Sequence, residues 1–314
     1  MRPSIGVYVF TGFMDSGKTT LIKETLIESG FGNEGKNLII VCEDGEEEYD
    51  ETKFARFHTD IVTVENQEDF NRGFLEDCIK KYRPDNIFIE YNGTWEVACF
   101  AEGVLPPSCE LVQVLTTVDS TTFESYLLNM RAMMLEQMFL SDVVIFNRSD
   151  ENTPKLKFRT TVKSNNRKAQ IVYEKKDRTI DETPEPLPYD INQDVIEISD
   201  MNYGVWFMDC QENPEKYHKK FIKFLALIYN PDKMKSGSFV PGRFAMTCCA
   251  DDIQFIGMKA KYEKSKEIPH KAWVNLTAEV KYEYAKEYKG KGPVLYVTEI
   301  ELTEKPEEEL IYFN

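Results

Sequence analysis

From Gly12 to Thr20 the chain reads GFMDSGKTT, and the spacing from Gly12 to Gly17-Lys18-Thr19 is that of a loop able to cradle phosphate groups. Glycines let several backbone N–H groups converge on one point, and a helix starting there adds the positive end of its dipole. The chemistry this predicts is nucleotide binding. Gly12, Asp15, Ser16, Gly17, Lys18, Thr19 and Thr20 would surround the phosphates, with Lys18 reaching the β and γ groups and the Thr19 hydroxyl ligating Mg²⁺. A carboxylate is needed beside that metal, and Glu90, which closes the run NIFIE, stands where a neighbouring strand would end. Farther along lies Asn147-Arg148-Ser149-Asp150. A carboxylate at Asp150 can accept from the ring N–H and amino group of guanine, a donor pair adenine lacks, so the run favours GTP and GDP over ATP. Arg148 can cover a base with its planar head, as the stem of a lysine would.

A second set of reactive side chains sits in FVPGRFAMTCCADDI, where Cys248 and Cys249 precede Asp251 and Asp252. Soft and hard ligands within a few positions suit Zn²⁺, which wants about four. Neighbouring side chains of a strand point to opposite faces, so joint ligation requires a turn in the backbone or a second copy of the chain. Reduced, half-buried core thiols fit the same residues, and both readings stand open. His58, His218 and His270 are scattered and read as surface residues.

These side chains need elements to hold them. IGVYVF (5–10) is β-branched and aromatic, as expected of a strand buried on both faces, and KTTLIKETLIESGF continues it as a helix with Ile22 and Leu26 on one face. Further strands are expected at 37–44, 86–90, 111–119, 142–147 and 170–174. A helix is expected over 66–82, with Phe70, Phe74, Leu75, Cys78, Ile79 and Tyr82 in a stripe, and another over 120–141, whose Met and Leu stripe reads as core. Strands alternating with helices predict an α/β P-loop NTPase fold with a mostly parallel sheet. The rhythm breaks at RTIDETPEPLPYD, where three prolines stand among acidic residues. Beyond a short helical segment near 200–218, five β-rich stretches predict a small all-β OB-like barrel. The expected organisation is a nucleotide domain at 1–177, an acidic, proline-containing linker at 178–194 and a barrel domain at 195–314.

The bulk numbers exclude some partners. With 38 Lys and Arg against 54 Asp and Glu, the 314-residue chain carries a formal charge of −16, which disfavours nucleic acid and anionic membrane surfaces. Trp273, Tyr282 and Tyr284 could stack on bases, but the alternating Lys and Glu around them read as solvated strand faces. Seven cysteines without the spacing of a stapled secreted scaffold point to reduced thiols. MRPSIGVYVF lacks a long apolar leader core, and no run of about 18 apolar residues occurs, so a cytoplasmic protein that does not span a membrane is expected.

Residues 5 to about 175 resemble the CobW family of P-loop GTPases, which handle or deliver metal ions. The likeness is carried by TGFMDSGKTTLI, VCEDGEEEYD, IFIEYNG, VLTTVDS, EQMFLSDVVIFNRSD and NNRKAQIV, in the family's order and spacing. The resemblance implies that Glu43 and Asp50 occupy switch positions near Mg²⁺ or the attacking water, and that Asn165 sits near the base. Hydrolysis would then rest on Lys18, Glu43, Asp50 and Glu90 through positioning and charge neutralisation. Two departures stand out: IVTVENQEDF has no cysteine where the family usually carries Cys-x-Cys-Cys, and Asp15 replaces the common glycine. The last 110 residues or so, with R-F-x-x-T-C-C-A-x-D, resemble the OB-like domain that ends YcgQ-like permease-subunit proteins. The implied function is a slow, Mg²⁺-dependent GTPase coupling nucleotide state to metal handling or to a membrane-transport partner. The partners would be a permease or a metalloprotein client, and a homo-oligomer is compatible. The alternatives are a non-hydrolysing nucleotide-sensing scaffold and a zinc metallochaperone using Cys248 and Cys249.

Overall fold

Apolar residues on successive positions of a strand need cover on both faces, and the amino-terminal strands find it. In a computed structural model describing residues 4–29, 31–33, 35–43, 45, 47–183, 186–230, 237–246 and 253–312, seven strands form one parallel sheet. They are β1 (Ile5–Thr11), β2 (Asn37–Val41), β3 (Thr59–Thr63), β4 (Asn86–Glu90), β5 (Cys109–Asp119), β6 (Val143–Ser149) and β7 (Gln170–Lys175). Their order is β3-β2-β4-β1-β5-β6-β7, with every pairing parallel. Helices α1 (Lys18–Ile27), α2 (Glu51–Ala55), α3 (Arg72–Tyr82), α4 (Phe123–Asn129), α5 (Arg131–Glu136) and α6 (Lys155–Asn165) alternate with them. One face of the sheet, with Val7, Val9, Leu38, Ile40, Ile87 and Ile89, packs with Leu75 and Cys78 of α3. The other, with Phe10, Ile39 and Phe88, packs with Ile22 and Leu26 of α1. This is the P-loop NTPase arrangement expected from the alternation.

Three local differences have physical causes. The helix expected over 66–82 begins at Arg72, because the Asn71 side chain accepts from Phe74 N at 3.1 Å and caps it there; 67–69 is a separate 3-10 turn. The helix expected over 120–141 is two, broken at Met130, whose φ of −140° and ψ of 38° leave the helical region. Such a break resets the phase of a stripe. Met134, Leu135 and Met138 are therefore core, but Leu128 is 85% exposed and Met130 and Met133 are partly exposed, so only part of the Met and Leu stripe is core. Edge strand β3, with its polar Thr and Asp, was not anticipated from the sequence.

The chain divides into two compact units, one comprising Met1–Thr153 and Asn165–Thr183, the other Pro154–Ser164 and Pro184–Asn314. The second contains all but the last residue of α6, together with β8 (Val195–Ile198), α7 (Asp200–Glu212), α8 (Pro214–Tyr217), β9 (Phe221–Tyr229), β10 (Ser238–Met246), β11 (Ile253–Gly257), β12 (Ala260–Lys261), β13 (Trp273–Ala285), β14 (Gly290–Thr303) and β15 (Leu310–Tyr312). Five of these close a ring, since β9 pairs with β13, β13 with β14, β14 with β12, β12 with β10 and β10 again with β9. Alternation fills its inside: Ile222, Phe224, Ala226 and Ile228 from β9 meet Val274, Leu276, Ala278 and Val280 from β13, and α7 adds Tyr203 and Trp206. In the proline-containing stretch, Tyr189 and Ile191 pack against this core, and the Tyr189 and Tyr217 hydroxyls share a hydrogen bond of 2.6 Å.

Candidate nucleotide site

In an open parallel sheet the carboxyl ends of the strands form the natural ligand crevice. Phe10 of β1 and Val41 of β2 both lie in register with Glu90 of β4, so Gly12, Glu43 and Glu90 emerge side by side. Gly12 has φ +122° and Gly17 φ +101°, both in the region glycine takes freely, and a Cβ on Gly12 would lie 2.2 Å from the Thr117 carbonyl oxygen. Asp15 adopts φ +59°, a conformation that glycine takes without strain and aspartate tolerates. The residue is exposed. Gly17 precedes α1, whose first turn carries Lys18, Thr19 and Thr20, so the first amides of the helix have no acceptor within it, and no side chain of Gly17 caps them.

Lys18 is buried, and its ammonium donates to the carbonyl oxygens of Gly12 (2.7 Å) and Phe13 (2.9 Å) and to the carboxylate of Glu43. Glu43 also accepts from Gly93 N at 3.3 Å. The approach is close: a Cβ on Gly93 would lie 2.4 Å from the Gly12 oxygen. Thr19 Oγ1 donates to Glu90 Oε1 at 2.5 Å, and the Tyr49 hydroxyl donates to Glu90 Oε2. Burial pushes the Glu90 carboxyl above the usual carboxylate range, opposed by the hydrogen bonds from Thr19 and Tyr49. The Tyr49 phenol is driven well up by burial and then by the charge of Glu90. A cavity of about 240 Å³ is lined by Asp15, Gly17, Lys18, Thr19, Thr20, Glu43, Gly45, Glu47, Glu90 and Arg148.

On the other side of the loop, Asp119 of β5 and Asn147 of β6 are in register. Asn147 Nδ2 donates to the Ser16 carbonyl oxygen at 2.5 Å, and its Oδ1 is buried without a partner among the described residues. Arg148, at φ +53°, donates to Asp119 at 2.6 Å and to the Asp15 carbonyl oxygen at 3.2 Å. Asp150 is exposed at the end of this run, with Oδ1 accepting from Asn152 N at 2.9 Å.

The remaining sequence candidates are dispersed. Asp50 is exposed and caps α2, accepting from Lys53 N at 3.1 Å, and Asn165 donates to the Leu135 carbonyl oxygen at 2.9 Å. Cys248, Cys249 and Asp251 lie outside the described residues. Among the described residues no group of three or more His, Cys, Asp or Glu side chains is placed to hold a metal ion. Nor is any helix there long and apolar enough to cross a membrane. Sequence reasoning missed the polar layer under the loop. Gln137, fully buried, accepts from Gly12 N at 3.4 Å through Oε1 and donates to the Trp95 carbonyl oxygen at 3.0 Å. Its own carbonyl accepts from Thr11 and Thr116, and Thr117 bonds the Ser16 hydroxyl at 2.8 Å. The signal available was the pair of threonines at 116–117, set between the apolar residues Leu115 and Val118.

A parallel sheet whose first strand feeds a glycine loop with a buried lysine at the start of a helix defines a P-loop nucleotide-binding protein. Within that class the chain belongs to the CobW/HypB/UreG nucleotide-binding domain family, matched over residues 6–173, and to the DUF1980 C-terminal domain family, matched over 148–313. Among solved structures it is similar to a zinc-bound triple mutant of the YjiA GTPase, at 20% identity over 55% of this chain and 58% of that one, TM-score 0.43. It is also similar to zinc-bound YjiA GTPase from E. coli, at 16% identity over 82% and 89% of the two chains, TM-score 0.42. HypB from Archaeoglobus fulgidus matches at 16% identity over 55% and 81%, TM-score 0.37. No curated protein matches the chain significantly.

Proposed function

We propose that the protein binds GTP and GDP with Mg²⁺ and hydrolyses GTP slowly, using nucleotide state to govern a metal-handling or membrane-transport partner. The observation that carries this is the buried Lys18 ammonium set inside the glycine loop beside the hydroxyl–carboxylate pair of Thr19 and Glu90. That pair suits a divalent cation: Thr19 would ligate Mg²⁺ directly, with Glu90 behind it, and the ion would neutralise charge on the phosphates. The loop amides and Lys18 hold the phosphates, and the orphaned Asn147 Oδ1 offers an acceptor at the same edge as Asp150, to which we assign the choice of guanine. We give the second unit an OB-like reading, supported by its ring of five strands, and assign it the contact with a permease or metalloprotein.

Calorimetry with GTP, GDP and ATP in magnesium buffer tests the assignment. Heat is expected from the guanine nucleotides, and Asp150→Asn should narrow the preference over ATP by about tenfold, the scale of one lost charge-assisted hydrogen bond. No heat with GTP or GDP rejects the proposal. Phosphate release, measured with and without Zn²⁺, distinguishes slow turnover from a scaffold that binds without hydrolysing.

A further inference from the structure

An ammonium group has three N–H donors, and those of Lys18 are matched by three acceptors: the oxygens of Gly12 and Phe13 and the carboxylate of Glu43. The first two belong to the loop's own backbone, so Glu43 is the acceptor that can leave with the loop intact. The side chains of Lys18 and Glu43 are only 2% and 6% exposed. Glu43 takes a second hydrogen bond from the backbone N–H of Gly93. It therefore supplies what a phosphate oxygen would supply here, a negative charge that accepts one bond from the lysine and one from a main-chain amide.

We infer that Glu43 is a built-in anion that holds the phosphate's place in the nucleotide-free protein, and that an arriving nucleotide must expel it. This rests on the nucleotide-binding reading. The consequence reaches past one side chain, because Glu43 begins a segment fastened at further points. Glu47 accepts from Thr20 (3.3 Å) and Lys23 (2.9 Å), Tyr49 donates to Glu90, and Asp50 caps α2. Every one of these fastenings except the last attaches to α1 or to the partner of Thr19, the groups a nucleotide and its cation would engage. Expulsion thus frees a strap between β2 and α2. The charge balance favours the same event, since Asp15, Glu43, Glu47 and Glu90 face Lys18 and Arg148 in the cavity, and further negative charge enters more readily once a carboxylate leaves.

The test uses the full chain, with GDP and magnesium as the probe. Glu43→Gln keeps the shape and removes the competing charge, and should bind GDP about tenfold more tightly than the native chain or better, as expected for a buried, hydrogen-bonded charge pair. Glu43→Asp, one methylene short of Lys18, should tighten binding too, and carries the test if the Gln variant does not fold. In the native chain, amide hydrogen exchange across 40–55 should quicken when GDP is added. Binding only by the Glu43→Gln variant would also support the inference. Native binding with equal or weaker affinity in both variants, and unchanged exchange across 40–55, overturns the inference while leaving the nucleotide reading intact. No binding by any of the three proteins overturns both.

Discussion

Lys18 in the first unit and Arg243 in the second are both deeply buried cations, and they are held differently. Lys18 sits beside a cavity, with two backbone acceptors and one carboxylate from a strap. Arg243, fully buried in the second unit, donates to Asp200 at 2.6 Å and to the carbonyl oxygens of Glu308 (3.0 Å) and Glu309 (3.5 Å), and lies 5.0 Å from the Trp273 ring centre. Its guanidinium ties β10 to the segment before β15, so its partners are fixed by the fold. Burial of a charge is thus no sign of function by itself. What separates a site from a fastener is open volume next to the charge and a partner that can be exchanged for a ligand.

The sharpest way to break this contrast is Lys18→Ala. If Lys18 serves a ligand, calorimetry should show GDP affinity falling by a hundredfold or more, about 3 kcal/mol for a lost charge-assisted contact. Undiminished affinity would make Lys18 a fastener like Arg243. Next in size, Arg243→Met should lower unfolding free energy in denaturant by about 2–3 kcal/mol, less than a fully enclosed pair because the Asp200 side chain is 45% exposed, with two carbonyl groups left short of a donor. A loss near zero would mean that these carbonyls find other donors.

Glu90→Gln probes a smaller effect. Because burial raises the Glu90 carboxyl above its ordinary 4.5, the folded chain holds that proton more tightly than the unfolded chain does. Its contribution to stability is therefore greatest below pH 4.5 and declines as pH rises through the folded value. Thermal unfolding without ligand should show Glu90→Gln more stable than the native chain at neutral pH, with the gap closing in mild acid. A gap that does not change with pH would place the proton elsewhere.

How much of this was legible in the sequence depends on how far apart the partners lie. The glycine loop is contiguous, so its chemistry and the strand and helix around it could be read directly. Glu90 could be placed because it ends an unbroken apolar run. The Lys18–Glu43 pair could not, because it depends on β2 and β1 both aligning to β4, which lies between them. Gln137 was invisible for a similar reason, reaching Gly12 from 125 positions away at the end of what read as an ordinary helix. In the second unit the β-rich stretches separated by turn residues announced β9 and β13 as strands. The split of one β-rich stretch into β11 and β12, and the three-residue β15, carry too few residues to leave a pattern.

The sheet order has a consequence for how the protein is made. Strand β1 pairs with β4 and β5 and with no strand nearer in the chain, and the amide of Gly12 finds its acceptor in Gln137. At about 5–20 residues per second, a ribosome needs on the order of ten seconds after finishing β1 to complete both neighbours. Until β4 is complete, a ribbon of Val, Tyr and Phe has no native strand to pair with. That makes the stretch from β1 to β5 the one where a chaperone that shields sticky segments would help most.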